Sequence, residues 1–222
     1  MPPFMVPPPN LSSLYLEASF TLVIVFLCAL LFYKFNEVYS LSNHTGLGLF
    51  RNIFLFLGFS FLVKFILIFL RFFFHMQFRG LFVFPLLLFF VSLLSTMSAL
   101  FVLSSSTSKK SSFSFSDFNW LVFLVSLVVS SVVFVNRLNA LFLLFQLLII
   151  ILSAALLFTQ GSKKSKKLFL LSYLFLFVFW VLSGFADAFV RFSFVFGILL
   201  YVLSILCLVI IYYFVLRRVR GS

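Results

Sequence analysis

The sequence predicts an all-α integral membrane protein: a bundle of seven transmembrane helices, N-terminus outside and C-terminus cytoplasmic. Three observations predict it. Seven apolar stretches fill almost the whole 222-residue chain, each close to the ~20 helical residues that cross a ~30 Å hydrocarbon core. Hydrophobic residues make up 64% of the chain and charged residues 9%, too little polar surface for a soluble domain. Lysine and arginine collect in alternate connecting segments, as they do where cytoplasmic charge sets orientation.

Residues 1–12 form an extracellular arm. Positions 1–10 hold five of the six prolines and no basic residue, so the charged start of a signal peptide is missing and the first apolar run is retained. Pro-rich composition favours an extended, solvated segment. The membrane domain covers 13–216, with spans at about 13–35, 47–74, 81–103, 119–135, 140–159, 168–190 and 194–216. The second span follows the turn-forming Ser42-Asn43-His44-Thr45-Gly46, and the third carries Pro85 in its first turns, where proline is tolerated. The Ser-rich stretch 104–117 reads as a loop. Asn136-Arg137-Leu138-Asn139 divides the fourth span from the fifth, because one continuous helix of ~40 residues would be twice the required length. Lys163-Lys164-Ser165-Lys166-Lys167 separates the fifth from the sixth. Residues 184–193 form either the boundary between the last two spans or a longer external loop, and 217–222 a basic cytoplasmic tail.

An outside N-terminus places Lys34, Arg51, Lys109, Lys110, Lys163, Lys164, Lys166, Lys167, Arg217, Arg218 and Arg220 on the cytoplasmic side. The outer side receives Arg71, Arg79, Arg137 and Arg191, and Lys64 falls inside the second span. Eleven against four fixes the orientation. The formal charge of +12 therefore points to anionic lipid headgroups at the cytoplasmic face and not to nucleic acid. The expected location is the cell membrane, multi-pass, with a homo-oligomer or another membrane partner left open.

Helical spacing puts one small or polar stripe on every span. The stripes comprise Ser13, Glu17, Thr21 and Cys28; Ser60, Lys64 and Arg71; Ser92, Ser95, Thr96 and Ala99; and Asn119, Ser126 and Ser130. They continue with Asn139, Gln146, Ser153 and Gln160; Tyr173, Trp180, Gly184, Asp187 and Arg191; and Gly197, Tyr201 and Ser204. Such stripes serve helix packing, with hydroxyls bonding across helices, or line a polar cavity. Intramembrane charge is more informative, since it costs at least ~2.5 kcal/mol near the bilayer centre and is paired or functional. Glu17 and Lys64 lie on consecutive antiparallel helices and can pair, and Asp187 and Arg191 are four apart. With Arg71, Gln146, Trp180 and Tyr201 they make a candidate ligand-binding cluster in the outer half of the bundle. The plainer reading is a structural ion pair, or long stems reaching for the outer headgroups.

Nothing in the sequence points to an enzyme. There is no Gly-rich phosphate loop, HExxH or GxSxG, and four acidic residues leave little for acid–base chemistry. His44 and His75 fall on opposite membrane sides, so no shared metal or haem ligation is expected. Cys28 and Cys207 lie inside apolar runs and read as packed thiols. No cofactor or metal is implied.

Seven spans with this orientation resemble the rhodopsin-type and receptor-type arrangement over the whole chain. Retinal proteins carry their chromophore on a lysine of the seventh span; here 194–216 contains none, so the resemblance implies topology without the pigment. Tyr39-Ser40-Leu41-Ser42-Asn43-His44-Thr45-Gly46-Leu47, continuing into Phe50-Arg51-Asn52 and Phe54, is similar to a segment of small uncharacterised archaeal multi-span proteins. It places Arg51 at the headgroup level. The leading expectation is a non-enzymatic sensor or receptor-like protein binding a small or lipidic ligand in the outer half. A small transporter or channel, using the polar stripes as its path, is the second. A structural or assembly subunit is the third.

Overall fold

The computed structural model describes residues 11–42, 45–73, 83–107, 115–136, 145, 148–149, 151–153, 155, 163–189 and 193–220. Six helices have defined bounds: α1 (Leu11–Ser42), α2 (Thr45–Phe73), α3 (Val83–Thr107), α4 (Phe115–Asn136), α5 (Lys163–Phe189) and α6 (Phe194–Arg220). Phe145, Leu148, Ile149, 151–153 and Ala155 are also helical, giving a seventh helical stretch between α4 and α5. No strand occurs among the described residues.

Among the described residues four segments are long and apolar enough to cross a membrane: Leu11–Ser40, Gly46–Leu70, Pro85–Ser105 and Phe194–Leu216. Shorter apolar windows occupy Asn119–Val132 in α4 and Leu171–Ala186 in α5. Large apolar side chains also cover the outside, among them Leu22, Phe26, Trp120, Val128 and Val195, all more than half exposed. In water that surface would drive aggregation; against lipid it carries no penalty. The chain is a helical membrane protein.

Several helices outrun the sequence-predicted spans. At 32 residues α1 is about 48 Å long, more than an untilted crossing of a ~30 Å hydrocarbon core requires. The lysine run 163–167, read as a connecting segment, is instead the first turn and more of α5. Lysine is a good helix former, and the apolar run behind it propagates the backbone bonding forward, although cations at a helix start oppose the dipole. The predicted loop 104–117 is likewise shortened at both ends, with α3 reaching Thr107 and α4 starting at Phe115. Pro85 is the third residue of α3, where its missing N–H breaks no helical bond. Between α5 and α6, Ser193 N–H donates to the Phe189 carbonyl at 2.9 Å, and the Ser193 carbonyl accepts from Gly197 N–H at 3.0 Å. One residue thus closes one helix and opens the next.

Ring contacts fix the directions. Tyr15 meets Phe72 and Phe35 meets Phe50, so α1 and α2 are antiparallel. Tyr173 touches Phe50 and Phe179 touches Phe61, so α5 runs alongside α2 in the same sense. Phe175–Phe214 and Phe189–Phe196 make α6 antiparallel to α5. Helix α2 packs along both α1 and α3, and α6 returns to touch α1. The start of α2, the start of α5 with its lysines and the arginine-bearing end of α6 therefore share one end of the bundle. Glu17 and Lys64 lie toward the other.

The core between these ends is aromatic and aliphatic: Ile24, Leu31, Phe50, Ile53, Phe54, Leu57, Phe101, Leu176, Phe179 and Leu208 are essentially inaccessible. Helices α1 and α2 pack closely at Gly58, where a Cβ would lie 3.1 Å from the Cys28 Cβ. Only glycine allows that approach without a shift of one helix.

Candidate functional site

Where their side chains are described, the polar stripes face mostly inward. Thr21, Ser60, Ser92, Ser95, Thr96, Ser98, Ser126, Ser130, Ser153 and Ser204 are all buried. Their bonding departs from the cross-helix pattern expected of them. Half of these hydroxyls donate to a carbonyl three or four residues back in their own helix: Thr21 to Ala18, Ser92 to Phe89, Thr96 to Ser92, Ser153 to Ile149 and Ser204 to Leu200. Local bonding satisfies the group without requiring a partner helix at one fixed distance. Cross-helix bonds are fewer: Ser60 to the Val91 carbonyl and Ser98 to the Ile53 carbonyl, each 3.0 Å, Thr96 with Ser130 at 3.4 Å, and Ser105 with Tyr173.

Glu17 comes from the second turn of α1 and Lys64 from the far half of α2. Lys64 Nζ lies 3.6 Å from Glu17 Oε1, and each side chain is 19% exposed. The separation is an ion-pair distance but longer than a hydrogen bond. The ammonium also sits 5.7 Å from the centre of the Phe61 ring, within cation–π range. Its charge is thus taken up by protein groups, and its stem is mostly covered instead of laid out toward a headgroup.

Beneath the pair runs a chain of rings. Phe61 meets Phe20 edge-on at 6.1 Å and Phe179 at 5.9 Å. Phe20 lies 4.1 Å from Tyr201 of α6, the shortest ring separation of these. Phe20 is three residues after Glu17 and Phe61 three before Lys64, so each charged residue shares a helix face with the ring below it.

Of the eight sequence-predicted ligand residues, the structure brings Glu17 and Lys64 together and joins Tyr201 to them through Phe20 and Phe61. Trp180 is buried in α5 beside Phe179. Gln146 and Arg191 lie outside the described residues, as do the side chains of Arg71 and Asp187. His44 and His75 are outside them too. Among the described residues no three His, Cys, Asp or Glu side chains gather as a metal site. The sequence reasoning passed over Phe20 and Phe61; the three-residue spacing was visible, but among 39 phenylalanines nothing set these two apart.

A second polar cluster occupies the opposite end of the same hairpin. Arg51 Nη1 donates to Asn36 Oδ1 at 2.6 Å, and Nη2 donates to Asn52 Oδ1 at 3.3 Å. Its guanidinium lies 5.3 Å from both the Phe32 and the Tyr39 ring centres. Phe32, Asn36 and Tyr39 are spaced four and three apart, so one face of α1 presents ring, amide and ring to a single arginine. Gly48, one turn before Arg51, leaves the space that the Tyr39 ring uses: a Cβ there would lie 3.0 Å from Tyr39 Cε2. Beside this cluster Lys34 Nζ donates to Glu37 Oε2 at 2.8 Å.

The chain is 30% identical to an uncharacterized protein of Archaeoglobus fulgidus, in an alignment that covers 98% of this chain and all of that protein. No family model and no solved structure matches it. The comparisons give no support to the rhodopsin-type or receptor-type resemblance.

Proposed function

The chain belongs to one family with the Archaeoglobus fulgidus protein, and from that premise we propose a non-enzymatic, multi-pass cell-membrane protein of sensor or receptor-like type. It crosses the membrane seven times with its N-terminus outside, and takes a small or lipidic ligand at the Glu17–Lys64 end of the bundle. One observation carries the reading: an ion pair at 3.6 Å, inside the apolar span, over a continuous run of rings. A carboxylate and an ammonium set 3.6 Å apart inside an apolar span present both signs of charge to the polar group of a ligand. A ligand with one charged or polar group and an apolar body matches such a surface: the polar group meets Glu17 or Lys64, and the body lies along Phe61, Phe20 and Tyr201.

Mass spectrometry of small molecules that copurify with the full chain tests this. A lipid or metabolite enriched with the wild type and lost in Lys64→Met, while the variant stays folded, supports the reading. An identical complement in both proteins removes it. Orientation is tested separately. An impermeant thiol reagent on intact cells is expected to modify Ser12→Cys and spare Ser165→Cys; the reverse pattern would invert the topology.

The second reading, a small transporter or channel, is favoured by α4. Asn119 Oδ1 and Ser126 Oγ are buried; among the described residues the first accepts no hydrogen bond and the second neither accepts nor donates one. They are seven apart on one face, with Ser130 one turn further on beside Thr96 of α3. Buried polar atoms without protein partners are ordinarily served by water, and a hydrated file is what a conduction path needs. With Cys28 and Cys207 replaced by alanine, Ser126→Cys reacting with a small water-borne thiol reagent supports such a path. Labelling confined to Ser12→Cys counts against it.

A further inference from the structure

We propose that Arg51, held on the Phe32–Asn36–Tyr39 face of α1, forms a binding site for one phosphate group at the basic end of the bundle. This inference is independent of the Glu17–Lys64 reading. It starts from the charge balance. Glu37 is the carboxylate nearest in sequence on α1, and it is bonded to Lys34 instead. Arg51 is left with two neutral amides and two aromatic rings as its partners among the described residues. Those groups orient a guanidinium well, but none of them neutralises it.

The donors bear this out. A guanidinium has five N–H bonds. Two are used, one on each η nitrogen, and the Nε–H is buried without a partner. Two η N–H groups therefore remain, on a side chain that is only partly covered. A fork of this kind fits phosphate oxygens, and its fixed plane lowers the entropy lost on binding. The rings and Asn36 already hold that plane.

Position selects the same chemistry. Between Glu17 and Asn36, α1 rises about 28 Å over its nineteen residues, close to the ~30 Å depth of the hydrocarbon. A site at the level of Asn36 thus falls where lipid phosphates lie when Glu17 is near the opposite boundary. The first turn of α2 contains no acidic residue, so the positive end of that helix adds to the field. Lys163–Lys167 begin α5 at the same end, and the arginines of α6 finish there. The phosphate can be carried by an anionic lipid headgroup or arrive as a free ion; the chemistry recognised is the same.

Thermal unfolding of the full chain in neutral detergent tests the site with four probes: phosphatidylglycerol in the micelle, diacylglycerol as its phosphate-free counterpart, inorganic phosphate, and no addition. Phosphatidylglycerol is expected to raise the midpoint by roughly 5 °C or more near saturation, and diacylglycerol to leave it unchanged. Arg51→Gln loses that shift. Replacing Lys163, Lys164, Lys166 and Lys167 together by glutamine removes more charge but retains it. An equal rise with inorganic phosphate assigns the site to the free ion; a rise with the lipid alone assigns it to the headgroup. The proposal is overturned if the shift survives Arg51→Gln or disappears with the four lysines. Arg51→Lys guards against misfolding, since it keeps the charge and loses the fork: it should weaken phosphatidylglycerol binding at least severalfold. Undiminished affinity in Arg51→Lys, or a wild-type isotherm that never saturates, also defeats it.

Discussion

The two ends of the α1–α2 hairpin handle a partly buried cation in opposite ways. At one end Lys64 faces a carboxylate, at 3.6 Å and with no short bond between them. At the other Arg51 has no carboxylate partner among the described residues, yet it is gripped by a 2.6 Å amide bond and two rings. The first arrangement matches charge and leaves geometry loose; the second fixes geometry and leaves charge unmatched. Coulomb attraction is long-ranged and tolerates a spread of positions, whereas hydrogen bonds and ring faces act only in contact. The difference teaches what each end would offer a ligand: the Glu17–Lys64 end a pair of opposite charges, the Arg51 end a positive charge with no carboxylate beside it among the described residues.

The comparison holds only if the aromatic core, and not the polar ends, carries most of the hairpin's stability. Phe50→Ala tests that with the largest expected effect. Phe50 is fully buried and packs against Phe35, Phe54 and Tyr173, so truncation should cost ~3–5 kcal/mol in reversible unfolding in detergent. A loss below that of either polar variant would shift the weight back to the ends.

The next effect belongs to Glu17→Gln. A fully buried pair that loses one partner costs ~3–5 kcal/mol. Here both side chains keep some exposure, so about 1–3 kcal/mol is expected. The double variant Glu17→Gln with Lys64→Met should recover part of it, because no unpaired ammonium remains. A coupling energy under ~0.5 kcal/mol in that cycle would mean the two residues act independently.

Arg51→Gln is expected to be milder for folding, about 1–2 kcal/mol from two hydrogen bonds and the ring contacts, with no opposite charge left stranded. Because the two ends are far apart, Glu17→Gln and Arg51→Gln should add within ~0.5 kcal/mol. Marked non-additivity would show that the hairpin transmits strain from one end to the other.

Gly58→Ala sharpens the picture between the ends. The new Cβ would meet the Cys28 Cβ at 3.1 Å, an atom fixed to its own helix, so α1 and α2 must separate slightly and the unfolding midpoint should fall. The smallest effect is predicted for Glu37→Gln. Lys34 and Glu37 are the more exposed pair, and exposed pairs contribute little. Its midpoint should stay within measurement error of wild type.

The sequence by itself determined the class of the protein, because hydropathy and helical period are properties of neighbours along the chain. It also marked Glu17 and Lys64, since charge in an apolar run is conspicuous wherever the run folds, and the antiparallel order of consecutive helices brought them within reach. It placed Arg51 at a boundary but could not show Phe32, Asn36 and Tyr39 as its cradle, which depends on the rotation of α1 about its own axis. That rotation is set by how Gly48 admits the Tyr39 ring and how Gly58 admits Cys28, contacts between residues distant in the chain. The bonding of the serines was likewise invisible: whether a hydroxyl turns to its own helix or a neighbour's depends on ångström-scale helix separation. Nor did composition reveal which of many phenylalanines would lie beneath Lys64. Local pattern decides that helices form and which stripe is polar. Only side-chain packing between helices decides which faces meet, and with them which polar atoms are satisfied and which stay open.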